Sequence, residues 1–385
     1  MIQYIDAFNP GFLAHKRVLL RLDLNITRHE NGVYDAADAF RLTESRPTLE
    51  FLLRSGARVG IISHRAQNLS FRGIVGFLQE ILGVRFVFTQ DPAEFRDALR
   101  HNVCALLDNL RAWSGEEKND ETFARLLASD FDIYVNDAFS VCHREHASVT
   151  AITHHLPAYG GFSLQKEVLQ LKTALELPPS GRVIIVGGAK PDTKLPVISN
   201  LLHSAESIIC GGVLGNILAH KRGIIGGVCE NIDCDIPDEI IHSGSVHCPV
   251  DFVAATRQDE QLMKSGVRDS GHPALRGEVL LDIGPATIKN FEIIIAKANS
   301  VIWNGPVGMA ETEPFDEGTI HLARSMKNIP HVLIGGGDTV SVFMRKGLIP
   351  QQALVSSGGG AMLAFLGGKM MPGLRALGYD DSFHE

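Results

Sequence analysis

Short apolar runs, each bounded by polar or glycine-rich residues, alternate with longer amphipathic stretches from one end of the chain to the other. That alternation predicts strands separated by helices and packed as a parallel α/β sheet. In the first half the predicted strands are Arg17–Leu22, Ala57–Ser63, Val84–Phe88, Val103–Leu107 and Ile133–Val135. In the second half they are Val183–Val186, Ser207–Ile209, Ser300–Trp303, Val332–Ile334 and Ala353–Val355. Strands buried on both faces read as nearly continuous Val, Ile and Leu, and these do. Between the halves, Lys166–Leu177 carries a helical pattern that stops at Pro178-Pro179-Ser180-Gly181, where proline and glycine break it.

A chain of 385 residues is too long for one ordinary core, so two domains are expected. The boundaries read as residues 1–165, a connecting helix over 166–180, and a second domain over 181–366. The net charge of −8, without any run of Lys or Arg, argues against general binding to nucleic acid or anionic membranes. No basic-then-apolar leader opens the sequence and no apolar run is long enough to span a bilayer. The six cysteines are scattered without CxxC pairs, as expected of reduced thiols in the cytoplasm. Cys229, Cys234, His242, His247 and Cys248 cluster, but their spacing fits no common zinc module, so they read as loop and core residues.

The strongest chemical signal is a set of glycine turns, each after an apolar strand of the second half. They are Gly187-Gly188-Ala189-Lys190, Gly211-Gly212, Gly305-Pro306-Val307-Gly308, Gly335-Gly336-Gly337-Asp338-Thr339 and Gly358-Gly359-Gly360. Glycine lets a backbone approach a ligand closely, and a helix starting just beyond offers free N–H groups to phosphate. On one sheet edge, five such turns predict a nucleotide-sized phosphate site. No Walker-type motif occurs, and after Gly335-Gly336-Gly337 the dinucleotide fingerprint fails at Val340, which argues against an NAD-dependent dehydrogenase. If a helix starts after the first turn, Lys190 and Lys194 share a face and both reach a phosphate. Asp338-Thr339 reads either as a helix cap or as a Mg²⁺ and phosphate contact.

The first half carries a different constellation. Asp23 and Asn25 end one strand, His64 ends another, Arg111 follows ALLDNL, and Asn136-Asp137 follow DIYV. Arg144 lies between His143 and His146, where a hydrogen-bonded histidine is expected to support it. Arg41, Arg111 and Arg144 are candidates to converge as clamps on a phosphate and a carboxylate.

Taken in order, these segments resemble phosphoglycerate kinase from about Arg17 to Leu377: RLDLN, SGARVGIISH, LLDNLRAWSGEEKND, YVNDAFSVCHREHAS, GGAKPDTKLPVISNLL, LDIGPATI, VIWNGPVGMAETEPFDEGT, LIGGGDTV and SSGGGAMLAFLGGK. The resemblance implies two Rossmann-like parallel-sheet domains facing a central cleft, joined by a helix and closing about a hinge, with residues 367–385 returning to the N-terminal domain. It implies contacts to 3-phosphoglycerate from Asp23, Asn25, Arg41, His64, Arg111 and Arg144, with Arg41 and Lys194 acting on the phosphoryl group in flight. For ATP or ADP it implies Gly187, Gly188, Lys190, Lys194, Gly212, Asn304, Gly336, Gly337, Asp338 and Thr339, with Glu311 towards the ribose and Asp338 towards Mg²⁺. The partners so implied are a small acid and a nucleotide, neither nucleic acid nor membrane, and a monomeric enzyme is expected.

The sequence departs from the family pattern in three places. Where S-H-L-G-R-P is usual it reads Ser63-His64-Arg65-Ala66-Gln67-Asn68, with Gln67 at the arginine position and Arg65 as a candidate replacement. Ile26-Thr27-Arg28 follows Asn25 where the family has a proline, and Met362, Ala364 and Gly368 replace commoner polar residues. The rival readings are a related enzyme acting on another small carboxylic acid, and a catalytically idle paralogue.

Overall fold

The computed structural model of the protein describes residues 1–26, 34–226, 234–258 and 261–380. Thr27, Arg28 and Cys229 lie outside the described residues. The chain divides into two compact units, Met1–Gln170 with the segment beginning at Gly368, and Leu171–Gly367. The division falls inside one helix, Phe162–Glu176.

Unit 1 is built on β1 (Arg17–Arg21), β2 (Arg58–Ile62), β3 (Val87–Thr89), β4 (Cys104–Leu107), β5 (Ile133–Asn136) and β6 (Ala158–Gly160). They lie in the order β3-β4-β2-β1-β5-β6, parallel throughout. Successive side chains of a strand point to opposite faces. Val18 and Leu20 therefore join Val59, Ile61 and Val135 in one core, while Leu19 joins Ile62, Ala105 and Tyr134 in the other. Burial on both faces is why these strands read as unbroken apolar runs.

Unit 2 repeats the plan with β7 (Arg182–Val186), β8 (Ser207–Cys210), β9 (Val246–His247), β13 (Ser300–Asn304), β14 (His331–Gly335) and β15 (Leu354–Ser356). Their order is β15-β14-β13-β7-β8-β9, again parallel. Each sheet starts at its centre, winds outward one way and then returns to the other side. β1 thus pairs with both β2 and β5, and β7 with both β8 and β13. Loops leaving such a switch point diverge, and the crevice between them is where open α/β sheets hold ligands.

All ten predicted strands meet an observed one. The alternating pattern nevertheless misses an antiparallel sheet of three strands, β10 (Asp251–Gln258), β11 (Gln261–Asp269) and β12 (Glu278–Ile283), ordered β11-β10-β12. Edge strand β11 reads QLMKSGVRD and is largely exposed, so it lacks the apolar run of a buried strand. Register shifts at Ala254/Ala255 and Val253/Ala254 further blur the period. β6 and β9 are missed because they are short edge strands.

The connecting helix begins at Phe162, ahead of the predicted Lys166, because Asp137 caps it. The Asp137 carboxylate accepts from Ser163 N at 2.8 Å and Leu164 N at 3.1 Å. Asn136 accepts from Ala138 N through its side chain at 2.9 Å. Both residues, read from sequence beside the acid-site candidates, are structural. The segment after Gly368 packs in unit 1, with Met371 and Leu374 buried and Gly373 N donating to Cys142 O at 2.9 Å. No described helix is long and apolar enough to cross a membrane.

Candidate active site

In unit 1 the candidate side chains gather at the switch point. Asp23 follows β1 and Ser140 follows β5, and the Ser140 hydroxyl donates to Asp23 Oδ2, tying the two diverging loops. Arg41, on the helix Ala36–Arg54, lies 3.4 Å from Asp23 Oδ2 and 3.4 Å from Asp38 Oδ1, and donates to Asn25 O at 2.9 Å. Its Nε is buried with no hydrogen-bond partner among the described residues. Burial pushes Asp23 upward, but Arg41, His64 and the Ser140 bond outweigh it and hold the carboxyl at about 2. Asp23 is therefore a fixed anion that orients Arg41.

His64 follows β2, and Arg111 lies in the turn Leu110–Ala112 after β4. Asn109 joins these loops: its Oδ1 accepts from Arg65 N at 2.9 Å and Arg111 N at 3.1 Å, while its amide donates to Arg65 O and Leu69 O. Arg144 donates through Nε to His143 Nε2 at 3.2 Å, the histidine support anticipated from the sequence. Burial and then the neighbouring Arg111 draw the Arg144 guanidinium below its ordinary value, as expected where like charges crowd. Burial, followed by Arg144, likewise holds His143 and His146 down at about 4. Neutral imidazoles and concentrated guanidinium charge make an anion site.

Arg65 is not part of it. Its Nε donates to Ile26 O at 3.2 Å and its Nη1 to Ser70 O at 2.8 Å, so it braces its own loop and does not replace the family arginine. Gln67, at that arginine's position, is exposed with φ of 55° at the loop tip.

In unit 2 the glycine turns meet at the carboxyl edge, but largely against one another. Gly187 N donates to Asn304 O at 2.9 Å, Gly188 N to Pro306 O at 2.8 Å and Gly212 N to Val307 O at 2.8 Å. A Cβ on Gly305 would lie 2.1 Å from Gly187 O, and one on Gly187 2.1 Å from Pro306 O. Glycine is needed there so that backbone can pack on backbone. Gly337 and Gly360 differ, since a Cβ on either would meet nothing within 4 Å. They open the helices Gly337–Arg345 and Gly359–Leu366, whose first N–H groups are the ones free to receive phosphate oxygens.

Lys194 Nζ donates to Asn304 Oδ1, and Asn304 Nδ2 donates to Gly359 O at 3.2 Å. The buried Thr339 hydroxyl accepts from Gly305 N at 2.8 Å, keeping its own proton for a ligand. Asp338 is exposed beside it, close enough to Lys194 to favour the ammonium form. The expected helical face shared by Lys190 and Lys194 does not exist. Pro191 starts a short 3-10 turn, Pro191–Thr193, so Lys190 precedes the turn and lies exposed while Lys194 ends it half-buried. Glu311 is exposed on the loop after β13. Among the described residues no group of three or more His, Cys, Asp or Glu is arranged to hold a metal ion.

Arg21, Ser140, Asn109 and Glu116 were not singled out from sequence. Arg21 had a signal: it is a charged residue in an otherwise apolar buried strand, and a charge there demands partners.

A cluster of guanidinium groups on one doubly wound unit, and free helix N–H groups at a glycine edge on the other, are what a phosphotransferase acting on small anions requires. The family model described as phosphoglycerate kinase matches residues 9–369. The chain is 35% identical to the phosphoglycerate kinase of Wolbachia pipientis from Culex pipiens, covering 94% of this chain and 96% of the relative. It is 34% identical to that of Maricaulis maris, covering 95% of both. Among solved structures, phosphoglycerate kinase from Pyrococcus horikoshii superposes with a TM-score of 0.84 at 25% identity over 98% of both chains. That from Coxiella burnetii gives 0.76 at 28% identity over 98% of this chain and 99% of the other. The chain belongs to the phosphoglycerate kinase family, and is accordingly a kinase that uses ATP and ADP and phosphorylates a carboxyl group.

One consequence is a pH limb. Burial draws the Lys194 ammonium down to about 8, with Asp338 opposing the shift. If Lys194 contacts the nucleotide phosphates, only its charged form attracts them, and kcat/KM for MgATP, which reports the free enzyme, should fall about tenfold per pH unit above about 8. Lys194→Arg, whose charge persists, should abolish this limb; a profile flat to pH about 10 in the wild type would refute the assignment.

Proposed function

We propose that unit 1 binds 3-phosphoglycerate through Asp23, Asn25, Arg41, His64, Arg111 and Arg144. On this reading unit 2 binds ATP or ADP through Lys190, Lys194, Asn304, Asp338, Thr339, Glu311 and the glycine turns. The phosphoryl group passes in line between nucleotide and carboxylate, giving 1,3-bisphosphoglycerate and ADP, or the reverse. The observation that carries this is the gathering of guanidinium groups at the switch point: Arg41 pairs with Asp23 and Asp38, Arg111 pairs with Glu117 at 3.2 Å, and Arg144 is held below its ordinary value by burial and then by Arg111, a strain that a bound anion would relieve. Such a transfer calls for positioning and charge neutralisation, with no side-chain nucleophile. Because the acyl phosphate is prone to hydrolysis, the two ligands must meet with water kept out.

A magnesium ion fits the donors present only if the nucleotide supplies most ligands: Asp338 offers one exposed carboxylate, and Mg²⁺ commonly takes one or two carboxylates plus phosphate oxygens and water. When bound, it would neutralise phosphate charge. We infer a monomer working in the cytoplasm, in keeping with buried free thiols at Cys104, Cys142, Cys210, Cys234 and Cys248.

A second reading, another small carboxylic acid as acceptor, is favoured by Gln67 together with the engagement of Arg65 by Ile26 and Ser70. Turnover of 3-phosphoglycerate with MgATP, compared with unphosphorylated hydroxy acids, separates the two. A kcat/KM for 3-phosphoglycerate at least about a hundredfold above the others is expected, since a phosphate held by charged hydrogen bonds contributes roughly 1.5–3 kcal/mol per contact. Equal or better turnover of an unphosphorylated acid would overturn the named substrate.

A further inference from the structure

We propose that Arg21 is a positioning residue that fixes His64 as the neutral tautomer with its proton on Nε2, so that the imidazole serves the acid as a hydrogen-bond donor. Arg21 is a fully buried side chain of β1. Its Nε donates to Ser148 Oγ at 3.0 Å, its Nη1 to Leu22 O and to Ser63 Oγ at 3.3 Å, and its Nη2 lies 2.9 Å from His64 Nδ1. A guanidinium has donors and no acceptor. His64 Nδ1 must therefore present its lone pair, and a neutral ring then carries its one proton on Nε2. A doubly protonated ring would set N–H against N–H across 2.9 Å.

The charges facing the ring agree with this. Arg21, Arg111 and Arg144 oppose an imidazolium and only Asp23 favours one; burial first, then Arg21, holds His64 down at about 3. Arg21 is itself held from behind. Ser148 Oγ donates to Glu116 Oε1 at 2.6 Å and Ser148 N to Glu116 Oε2 at 3.0 Å, while Tyr134 OH donates to Ser148 O at 2.6 Å. Glu116, completely buried, thus supplies the counter-charge through one serine. The direction of donation runs from Arg21 outward, to His64 on one side and through Ser148 to Glu116 on the other. The inference rests on the reading of His64 as an acid contact.

The first test is the histidine-ring ¹⁵N spectrum of the wild-type enzyme, with the His64 signals assigned by their loss in His64→Gln. The expected result is an unprotonated Nδ1 and a protonated Nε2, unchanged from pH about 5.5 to 8. A proton on Nδ1, or a ring that titrates in that range, overturns the proposal. Arg21→Met should mix the tautomers, raise the ring's pKa while burial, Arg111 and Arg144 still hold it below the ordinary histidine value, and raise KM for the acid by about tenfold or more with a smaller change in kcat. A ring unaffected by Arg21→Met also overturns it. A second pair leaves Arg21 in place and stands even if Arg21→Met fails to fold. His64→Gln sets an amide N–H near Nε2, whereas His64→Asn sets one near Nδ1, facing Arg21. KM for the acid should be at least about tenfold lower for Gln than for Asn. An Asn variant as good as Gln counts against the donor role. If the ring behaves as proposed but both variants match wild-type KM, the tautomer control by Arg21 stands and the reading of His64 as an acid contact fails.

Discussion

Lys194→Ala should lower kcat by roughly a thousandfold or more while MgATP still binds. The ammonium is half-buried at the end of a short turn, with Asn304 Oδ1 fixing its direction and Gly359 O fixing Asn304. Such a preplaced cation needs no reorganisation when charge spreads over the transferring phosphoryl oxygens. Losing one oxyanion-stabilising donor costs about 10²–10³ in rate, and losing a cation on a transferring phosphoryl about 10³–10⁵. Ground-state binding should suffer less, because the first N–H groups of the helices at Gly337 and Gly359 remain. Steady-state kinetics with calorimetric titration of nucleotide would separate the two effects. A variant within tenfold of wild-type kcat would remove Lys194 from the mechanism.

Arg41→Met should act on both activity and stability. The guanidinium is the main partner of Asp23 and also reaches Asp38 and Asn25 O, so its loss strips the acid site of a clamp and leaves a buried carboxylate without its cation. We expect kcat/KM for the acid to fall by about 10³–10⁵, the range for losing a cation on the transferring phosphoryl group. Leaving a buried charge unpaired costs about 3–5 kcal/mol of stability near neutral pH. The sign with pH follows from Asp23. Its folded-state pKa of about 2 lies below the ordinary 3.8, so its stabilising contribution is present above 3.8 and is lost as pH falls through about 2. In Arg41→Met that depression should largely vanish, and acid unfolding followed by circular dichroism should begin at higher pH. Arg41→Lys, which keeps the charge but not the fork, should recover much of the stability and less of the activity. An unchanged acid transition in Arg41→Met would contradict the pairing.

The fold was legible because its central strands are buried on both faces, so Val59–Ile62 or Val183–Val186 had to be apolar at nearly every position. β11 was not, because an exposed edge strand needs no such run. The candidate site was legible where a polar residue follows a buried strand, as with Asp23 after β1 and His64 after β2. It was misleading where one residue type answers two needs. Gly187, Gly212 and Gly305 look like Gly337, yet the first three admit neighbouring backbone and only the last faces open space. The spacing of Lys190 and Lys194 suggested one helical face, but Pro191 forms a tighter turn between them. Arg65 looked like a substitute two places from Gln67, and only three-dimensional distances reveal that the Ile26 and Ser70 carbonyls already hold it.

The segment after Gly368 bears on how this protein is made. Gly373 rests on Cys142 and Val149, on either side of the stretch that carries His143 and Arg144, and a Cβ there would come within 2.6 Å of Val149. Unit 1 therefore draws on two pieces of chain separated by all of unit 2. On a ribosome, unit 1 is begun before unit 2 and closed after residues 171–367 have emerged. No single cut in the polypeptide can divide the protein into its two units.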